Sequence, residues 1–137
     1  MSTEENNALA RREAQELWNH TGNLDAAEEL YAPDQAEAAK QEAADFRRAF
    51  PDVQCTIEDL IAEGDKVVAY WRAQATHQGE NMGVSPTGNR VDFMGIAIYR
   101  IEGGKIVEAR GLGDSLGLLR QLGAVPEPGQ EGVEPSH

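Results

Sequence analysis

The sequence holds one cysteine, Cys55, and three histidines, and no apolar run approaches the roughly 18 residues of a membrane-spanning helix. A single cysteine excludes an intramolecular disulfide, and no cysteine or histidine spacing typical of a metal site is present. The opening residues, MSTEENN, lack the basic and apolar regions of a signal peptide. We therefore expect a cytoplasmic protein with no membrane segment and no bound metal.

Basic residues are also scarce. Twelve Lys and Arg face 24 Asp and Glu, which gives a formal net charge of −12. Nucleic acids and anionic membrane surfaces are bound by basic patches, so neither is an expected partner. The glycines at 79, 83 and 88 lack the spacing of a phosphate-binding loop, and no Gly-x-Ser-x-Gly motif occurs. The sequence favours a neutral, largely apolar small-molecule ligand and predicts no cofactor.

The first 50 residues carry helical patterns. Ser2 and Glu5 form a predicted capping box. A second, short helix is predicted over 24–31 with Asn23 as its N-cap, and a third from Asp34, also a predicted N-cap, to Pro51. The first helix has one apolar face: Ala10, Ala14, Leu17 and Trp18. The third has another: Ala39, Ala43, Phe46 and Phe50.

The remainder predicts four strands and one helix. The strands cover 53–61, 67–77, 91–101 and 105–113, with glycine turns after the first and third, and a short helix follows over 115–122. Helices followed by antiparallel strands indicate an α+β fold. We predict a single domain over 1–123 and a disordered tail over 124–137, where proline and glutamate are frequent and no periodicity is present.

The third and fourth strands are apolar on both faces, whereas a strand with one solvated face alternates. We therefore expect helices around a pocket to cover one face of the sheet and a second copy of the chain to cover the other. The predicted assembly is a homodimer.

Asp114 is the principal candidate for catalysis because it lies where a strand ends and a helix begins. It can be a proton acceptor and donor at the edge of a pocket, or only the N-cap of the helix. Arg110 shares its strand face and is expected to point into the same pocket, where it would stabilise negative charge or pair with Asp114. His77, at the end of the second strand, is a third candidate, as an acid or base or as a structural residue.

A second group of residues is predicted either to contact a ligand or to fill the core. Their period-two spacing divides the strand residues between the faces, so only about half can see a pocket. Tyr99 is also a candidate hydrogen-bond donor to a ligand carbonyl. The predicted ligand contacts are Trp18, Tyr70, Trp71, Phe93, Met94, Tyr99 and Leu112.

Several segments, in order, resemble the SnoaL-like polyketide cyclases, also called ester cyclases, of the nuclear-transport-factor-2-like superfamily. The resemblance covers roughly residues 17–123. It is carried by GNLDAA at 22–27, LYAPD at 30–34, AFPD at 49–52, IEDLIAEGDKVV at 57–68, Asp114 and GLLRQLG at 117–123. It implies a cone of N-terminal helices packed on a strongly curved antiparallel sheet, with a short C-terminal helix, usually dimeric.

The resemblance also implies an activity: intramolecular aldol ring closure of a polyketide-like or aromatic carbonyl substrate without cofactor or metal. In this reading Asp114 removes a proton alpha to a carbonyl. Relatives include isomerases, epoxide-opening enzymes, cofactor-independent hydroxylases and non-catalytic binding or dimerisation domains, so these alternatives stay open. The sequence departs from the family in two places. A polar segment is missing after Asp34, and Glu108-Ala109-Arg110 replaces a common Glu-His-Trp.

Overall fold

The computed structural model describes residues 2–125. Helix α1 spans Thr3–Glu13, and the predicted capping box is confirmed. The Ser2 hydroxyl accepts from the Glu5 amide at 3.1 Å, and the Glu5 carboxylate accepts from the Ser2 amide at 3.0 Å. The predicted tail over 124–137 lies outside the described residues from residue 126 onward.

Helix α1 continues directly into a π-helical turn, Ala14–Trp18. The wider turn is closed by the Asn19 amide, which donates to the Ala14 carbonyl at 3.1 Å. The change of helical period was not predicted. Turns of π-helix are rare in proteins, and those that do occur are often found at functional sites.

Two further helices complete the layer. A 3₁₀ turn, Leu24–Ala26, leads into α2, Ala27–Leu30, and the predicted N-cap Asn23 accepts from the Asp25 amide at 3.0 Å. Helix α3 spans Pro33–Ala49. The prediction that Asp34 caps it is wrong. The N-cap is Ala32, because Pro33 supplies a helical φ at the first position, and this places Asp34 inside the first turn.

The strands agree with the predicted ones to within two residues. They are β1 Gln54–Glu63, β2 Lys66–Thr76, β3 Arg90–Glu102 and β4 Lys105–Gly113. They form one antiparallel sheet in the order β1-β2-β3-β4, and the short helix α4, Ser115–Gln121, follows. Irregularities between Ile57 and Asp59 and between Arg100 and Ile101 break the register, and such bulges bend a sheet.

Buried and more exposed residues alternate strictly along β3, and this alternation defines the two faces of the sheet. The inner face, toward the helices, carries the buried residues of β3 and their cross-strand partners on β2 and β4, because paired residues share a face. On β3 these inner residues are Val91, Phe93, Gly95, Ala97, Tyr99 and Ile101. The outer face carries the residues between them, of which Ile96 is 45% exposed. The α+β fold with its N-terminal helices and short C-terminal helix is therefore as predicted.

Candidate functional site

A cavity of about 420 Å³ lies between the inner face, the π-helical turn and α3. Its walls are mostly apolar and include aromatic rings from both layers. The predicted ligand contacts Trp18, Trp71, Phe93 and Tyr99 all line it. Trp71 and Phe93 meet edge to face with ring centroids 5.7 Å apart. A cavity of this size and character is typical of a small-molecule site.

One glycine, Gly95, makes room for the largest of these rings. Trp71 pairs across the sheet with Gly95, which pairs with Gly113 on β4. A Cβ placed on Gly95 would lie 2.1 Å from Cζ2 of Trp71, so no larger residue fits while the indole keeps this position. The indole therefore lies directly against the sheet backbone and forms part of the cavity wall.

A buried carboxyl group, Glu13, also lines the cavity and is 1% exposed. Its Oε2 accepts hydrogen bonds from Trp18 Nε1 and from the Tyr31 hydroxyl, both at 2.8 Å. Its Oε1 accepts from the Tyr99 hydroxyl at 2.9 Å. We call Glu13, Trp18, Tyr31 and Tyr99 the Glu13 cluster. All four residues border the cavity.

Burial raises the pKa of Glu13, because the ionised form loses hydration, while the three hydrogen bonds oppose this rise. Burial and the neighbouring carboxylate also raise the pKa of Tyr31 and of Tyr99, so both phenols keep their protons. Cys55 lines the same cavity, and burial, aided by the charge of Glu13, raises the pKa of its thiol to about 12. Cys55 is thus a neutral wall residue and not a nucleophile.

The Glu13 cluster was not found by sequence reasoning. A signal was present, because Glu13 falls within the apolar stripe formed by Ala10, Ala14 and Leu17, where a carboxylate is exceptional. The partners of Glu13 come from positions 18, 31 and 99, and only the fold brings them together.

Two predicted ligand contacts, Tyr70 and Met94, lie on the outer face and do not line the cavity. Their strand neighbours Trp71 and Phe93 point inward, and the period of two sends Tyr70 and Met94 the other way. The Tyr70 hydroxyl contacts the Met94 sulfur at 3.3 Å. In each of the pairs Tyr70–Trp71 and Phe93–Met94, one residue lines the cavity and the other does not, as the expectation of about half requires.

Arg110 and Leu112 occupy an intermediate position. Both border the cavity on β4, the edge strand, but Arg110 pairs with Ile98 and Leu112 with Ile96, which are outer-face residues. Leu112 is 80% exposed. The register places Ala109, Gly111 and Gly113 on the inner face, so the strand face of Arg110 points outward, although Arg110 itself borders the cavity as expected.

Asp114 is exposed and is the N-cap of α4. Its Oδ1 accepts from the Gly117 amide at 2.9 Å, and its own amide donates to the Met94 carbonyl at 2.9 Å. Asp114 itself does not line the cavity, although Gly113 and Ser115 on either side of it do. The cap, one of the two alternatives for this residue, is the role its contacts describe.

His77 is fully buried and does not line the cavity. Its Nδ1 accepts from the Thr87 amide at 3.1 Å, and its backbone exchanges hydrogen bonds with Gly88 and Asn89. These bonds close the loop between β2 and β3. The contacts of His77 are those of a structural residue, the second of its predicted alternatives.

That loop also forms one side of the cavity entrance, through Asn81 and Met82. Met82 has φ +51°, which lies in the left-handed region. Residues other than Gly and Asn are strained in this backbone conformation. Glu80 supports the turn, because its carboxylate accepts from the Gly83 amide at 2.7 Å. A 45% exposed Met82 side chain is thus held at the entrance in an unfavourable backbone conformation.

Within residues 2–125, no cluster of three or more His, Cys, Asp or Glu side chains has the geometry of a metal site. In the same part of the chain, no helix has the length and apolar character needed to span a membrane.

A layer of helices on a bent antiparallel sheet, with a cavity between them, defines the nuclear-transport-factor-2-like class of fold. The family model of SnoaL-like polyketide cyclases matches residues 8–122, and the chain belongs to this family. No match is found among the curated proteins.

Solved structures agree with this assignment. AclR from Streptomyces galilaeus, a proposed hydroxylase, is 30% identical and superposes with a TM-score of 0.83 over 98% of this chain and 91% of its own. TsrD from Streptomyces laurentii is 25% identical, with a TM-score of 0.83 over 91% and 99%. A proposed SnoaL-like polyketide cyclase from Jannaschia sp. CCS1 is 25% identical, with a TM-score of 0.82 over 90% and 95%.

Proposed function

We propose that this chain is an enzyme that binds a small aromatic or polyketide-like carbonyl compound in the cavity and catalyses aldol-type ring closure. The observation that carries the proposal is the cavity itself: about 420 Å³, walled by aromatic rings, with a carboxyl group at its floor. Membership of the cyclase family supports the reaction type. Exclusion of water by apolar walls strengthens polar interactions with a bound substrate.

The reaction needs a base that removes a proton alpha to the carbonyl and returns it to the new alkoxide. In this proposal the base is Asp114, which is flanked by two cavity-lining residues, Gly113 and Ser115. To reach the substrate its carboxylate must leave the Gly117 amide, and loss of an N-cap costs about 1 kcal/mol. General acid–base catalysis accelerates a reaction roughly 100-fold or more, which lowers the barrier by about 3 kcal/mol. This gain exceeds the free energy lost when the cap is broken.

The proposal has a direct test in which helix capping and proton transfer are separated. Asn and Ser cap helices about as well as Asp but cannot act as the base. We expect Asp114→Asn and Asp114→Ser to keep the wild-type melting temperature and to slow enzyme-dependent deuterium exchange at the alpha carbon of 1-tetralone, followed by NMR, by about 100-fold. Wild-type exchange in both variants would show that Asp114 is only a cap.

One alternative has specific support. AclR, at 30% identity, is described as a proposed hydroxylase, so cofactor-independent hydroxylation in the same cavity is the second candidate. Incubation of an aromatic substrate under labelled oxygen distinguishes the two, because hydroxylation incorporates the label into the product and ring closure does not.

The outer face supports a homodimer as the functional assembly. Tyr70, Ile96 and Leu112 align across β2, β3 and β4 and are 41%, 45% and 80% exposed. The Arg72–Asp92 ion pair lies on one side of this row, and the cation of Arg110 lies on the other. Because neither group adds net negative charge next to the row, two copies related by a twofold axis can bring these rows together despite the negative charge of the chain.

A further inference from the structure

The Glu13 cluster lacks the usual compensation for a buried carboxylate. Burying a charge is unfavourable unless it is paired or fully hydrogen-bonded. Among the ion pairs formed by residues 2–125, none includes Glu13. Three neutral donors surround it instead. A purely structural position would be filled at lower cost by an apolar side chain, so the carboxylate calls for a functional explanation.

The local backbone is arranged for this cluster. Glu13 is the last residue of α1, and Trp18 is the last residue of the π-helical turn that follows. In an α-helix, residues five apart point in different directions, whereas the wider π-helical period brings them onto one side. The turn thus aims the Trp18 indole N–H at Oε2 of Glu13.

An inventory of donors and acceptors shows what the cavity floor can bind. Trp18, Tyr31 and Tyr99 each have one polar hydrogen, and all three hydrogens are donated to Glu13. An ionised carboxylate can accept about four hydrogen bonds, so one position remains. That position belongs to Oε1, which accepts one bond while Oε2 accepts two.

We propose that the Glu13 cluster is a ligand subsite in which Oε1 of Glu13 accepts a hydrogen bond from a phenolic or enolic hydroxyl of the bound compound. This inference rests on the proposed function, since it requires that the cavity binds a small molecule. It specifies the substrate as an aromatic compound with a hydroxyl donor at its buried end. The reacting carbonyl then lies toward the entrance, near Gly113 and Ser115.

The same count of donors and acceptors disfavours ligands that present a group other than a hydroxyl to Glu13. A ketone or an ether has only acceptors, and with Glu13 ionised the floor offers it no free donor hydrogen. A carboxylate bound there would meet the charge of ionised Glu13, and the Glu13 cluster contains no basic side chain. The Tyr99 hydroxyl, a predicted donor to a ligand carbonyl, is already engaged by Glu13.

The test uses three probes of similar shape: 2-naphthol, 2-methoxynaphthalene and naphthalene. We expect the wild-type protein to bind 2-naphthol about tenfold or more tightly than either other probe, because a hydrogen bond to a charged acceptor contributes at least that much. In Glu13→Gln the preference for 2-naphthol over 2-methoxynaphthalene should fall below about threefold, since the amide presents a donor as well as an acceptor. Affinities are measured by titration calorimetry.

Two further variants complete the design. Glu42 borders the cavity but is exposed, and Glu42→Gln removes a carboxylate elsewhere in the wall, so the preference should persist. Tyr99→Phe removes the donor from Oε1 and leaves the acceptor, so it should also keep the preference for the hydroxyl. This second variant tests the inference even if Glu13→Gln does not fold.

The outcomes separate the inference from the proposed function. If no probe binds, the proposed small-molecule function fails. If all three probes bind equally well to the wild-type protein, the cavity binds aromatic compounds but the subsite is contradicted. The same conclusion follows if a folded Glu13→Gln keeps the wild-type preference, or if Tyr99→Phe loses it.

Discussion

The Tyr99 hydroxyl on β3 donates a hydrogen bond of 2.9 Å to the Glu13 carboxylate at the end of α1. This bond joins the inner face of the sheet to the helical layer across 86 residues of sequence. Both residues are buried. The bond therefore helps to define the cavity floor.

The first prediction concerns stability against pH. Burial raises the pKa of folded Glu13 above the ordinary 4.5. Between 4.5 and the raised folded pKa the native state binds more protons than the unfolded state, so this group lowers the free energy of unfolding as pH rises. We expect Glu13→Gln to lose this component. The difference in unfolding free energy should shift in favour of the variant as pH rises from about 4.5 toward neutrality. Parallel profiles for both proteins in urea titrations would contradict the assignment.

The second prediction concerns Gly95 and Trp71. Gly95→Ala should lower the free energy of unfolding by about 1–3 kcal/mol, the range for overpacking, because the new Cβ overlaps the indole ring. Gly111→Ala on the adjacent strand is a matched control, since its Cβ would meet no atom closer than 3.8 Å. It should be neutral or stabilising, because Ala restricts the unfolded chain more than Gly does. Equal effects of the two substitutions in chemical denaturation would argue against the Trp71 contact.

The third prediction concerns Met82 at the cavity entrance. Met82→Asn should stabilise the fold by up to about 1 kcal/mol, because Asn tolerates the left-handed conformation better. The same change removes an apolar side chain from the cavity rim, so 2-naphthol affinity should fall. Thermal melting and calorimetric titration measure the two effects, and a variant that binds as tightly as wild type would exclude Met82 from the ligand contacts.

The fourth prediction concerns assembly through the outer face. Leu112→Glu should convert the proposed dimer to a monomer, because a charge would be buried in the apolar row, at its β4 end. Leu116→Glu changes a 51% exposed leucine on α4, outside the sheet, and is the control. Light scattering at micromolar concentration should give one chain mass of 14.9 kDa for the first variant and twice that for the second and for wild type. A wild-type monomer would refute the dimer.

The helices and strands were predictable because their signals are local. The capping box at Ser2, the glycine turns and the apolar periodicity each act within a few residues, and the resulting bounds were close. The start of α3 was less accurate because Pro33 and Asp34 both favour a helix start, and the fixed φ of proline decided between them.

The site was harder to predict, for two physical reasons. Strand β3 is apolar on both faces, so alternation alone could not tell which set points inward, and Met94 was grouped with Phe93. The Glu13 cluster depends on hydroxyls from two remote tyrosines, and no local pattern encodes such a meeting. Asp114 was located correctly at the junction of β4 and α4, and its base role stays a prediction.

The most direct test of the account is an NMR titration of the two indole N–H groups with 2-naphthol. Trp18 and Trp71 are the only tryptophans, both line the cavity, and the Trp18 N–H is bonded to Glu13. We expect both indole resonances to shift and saturate together, with the Trp18 shift reduced in Glu13→Gln. Saturable binding that moves neither indole resonance would place the ligand elsewhere and contradict the account.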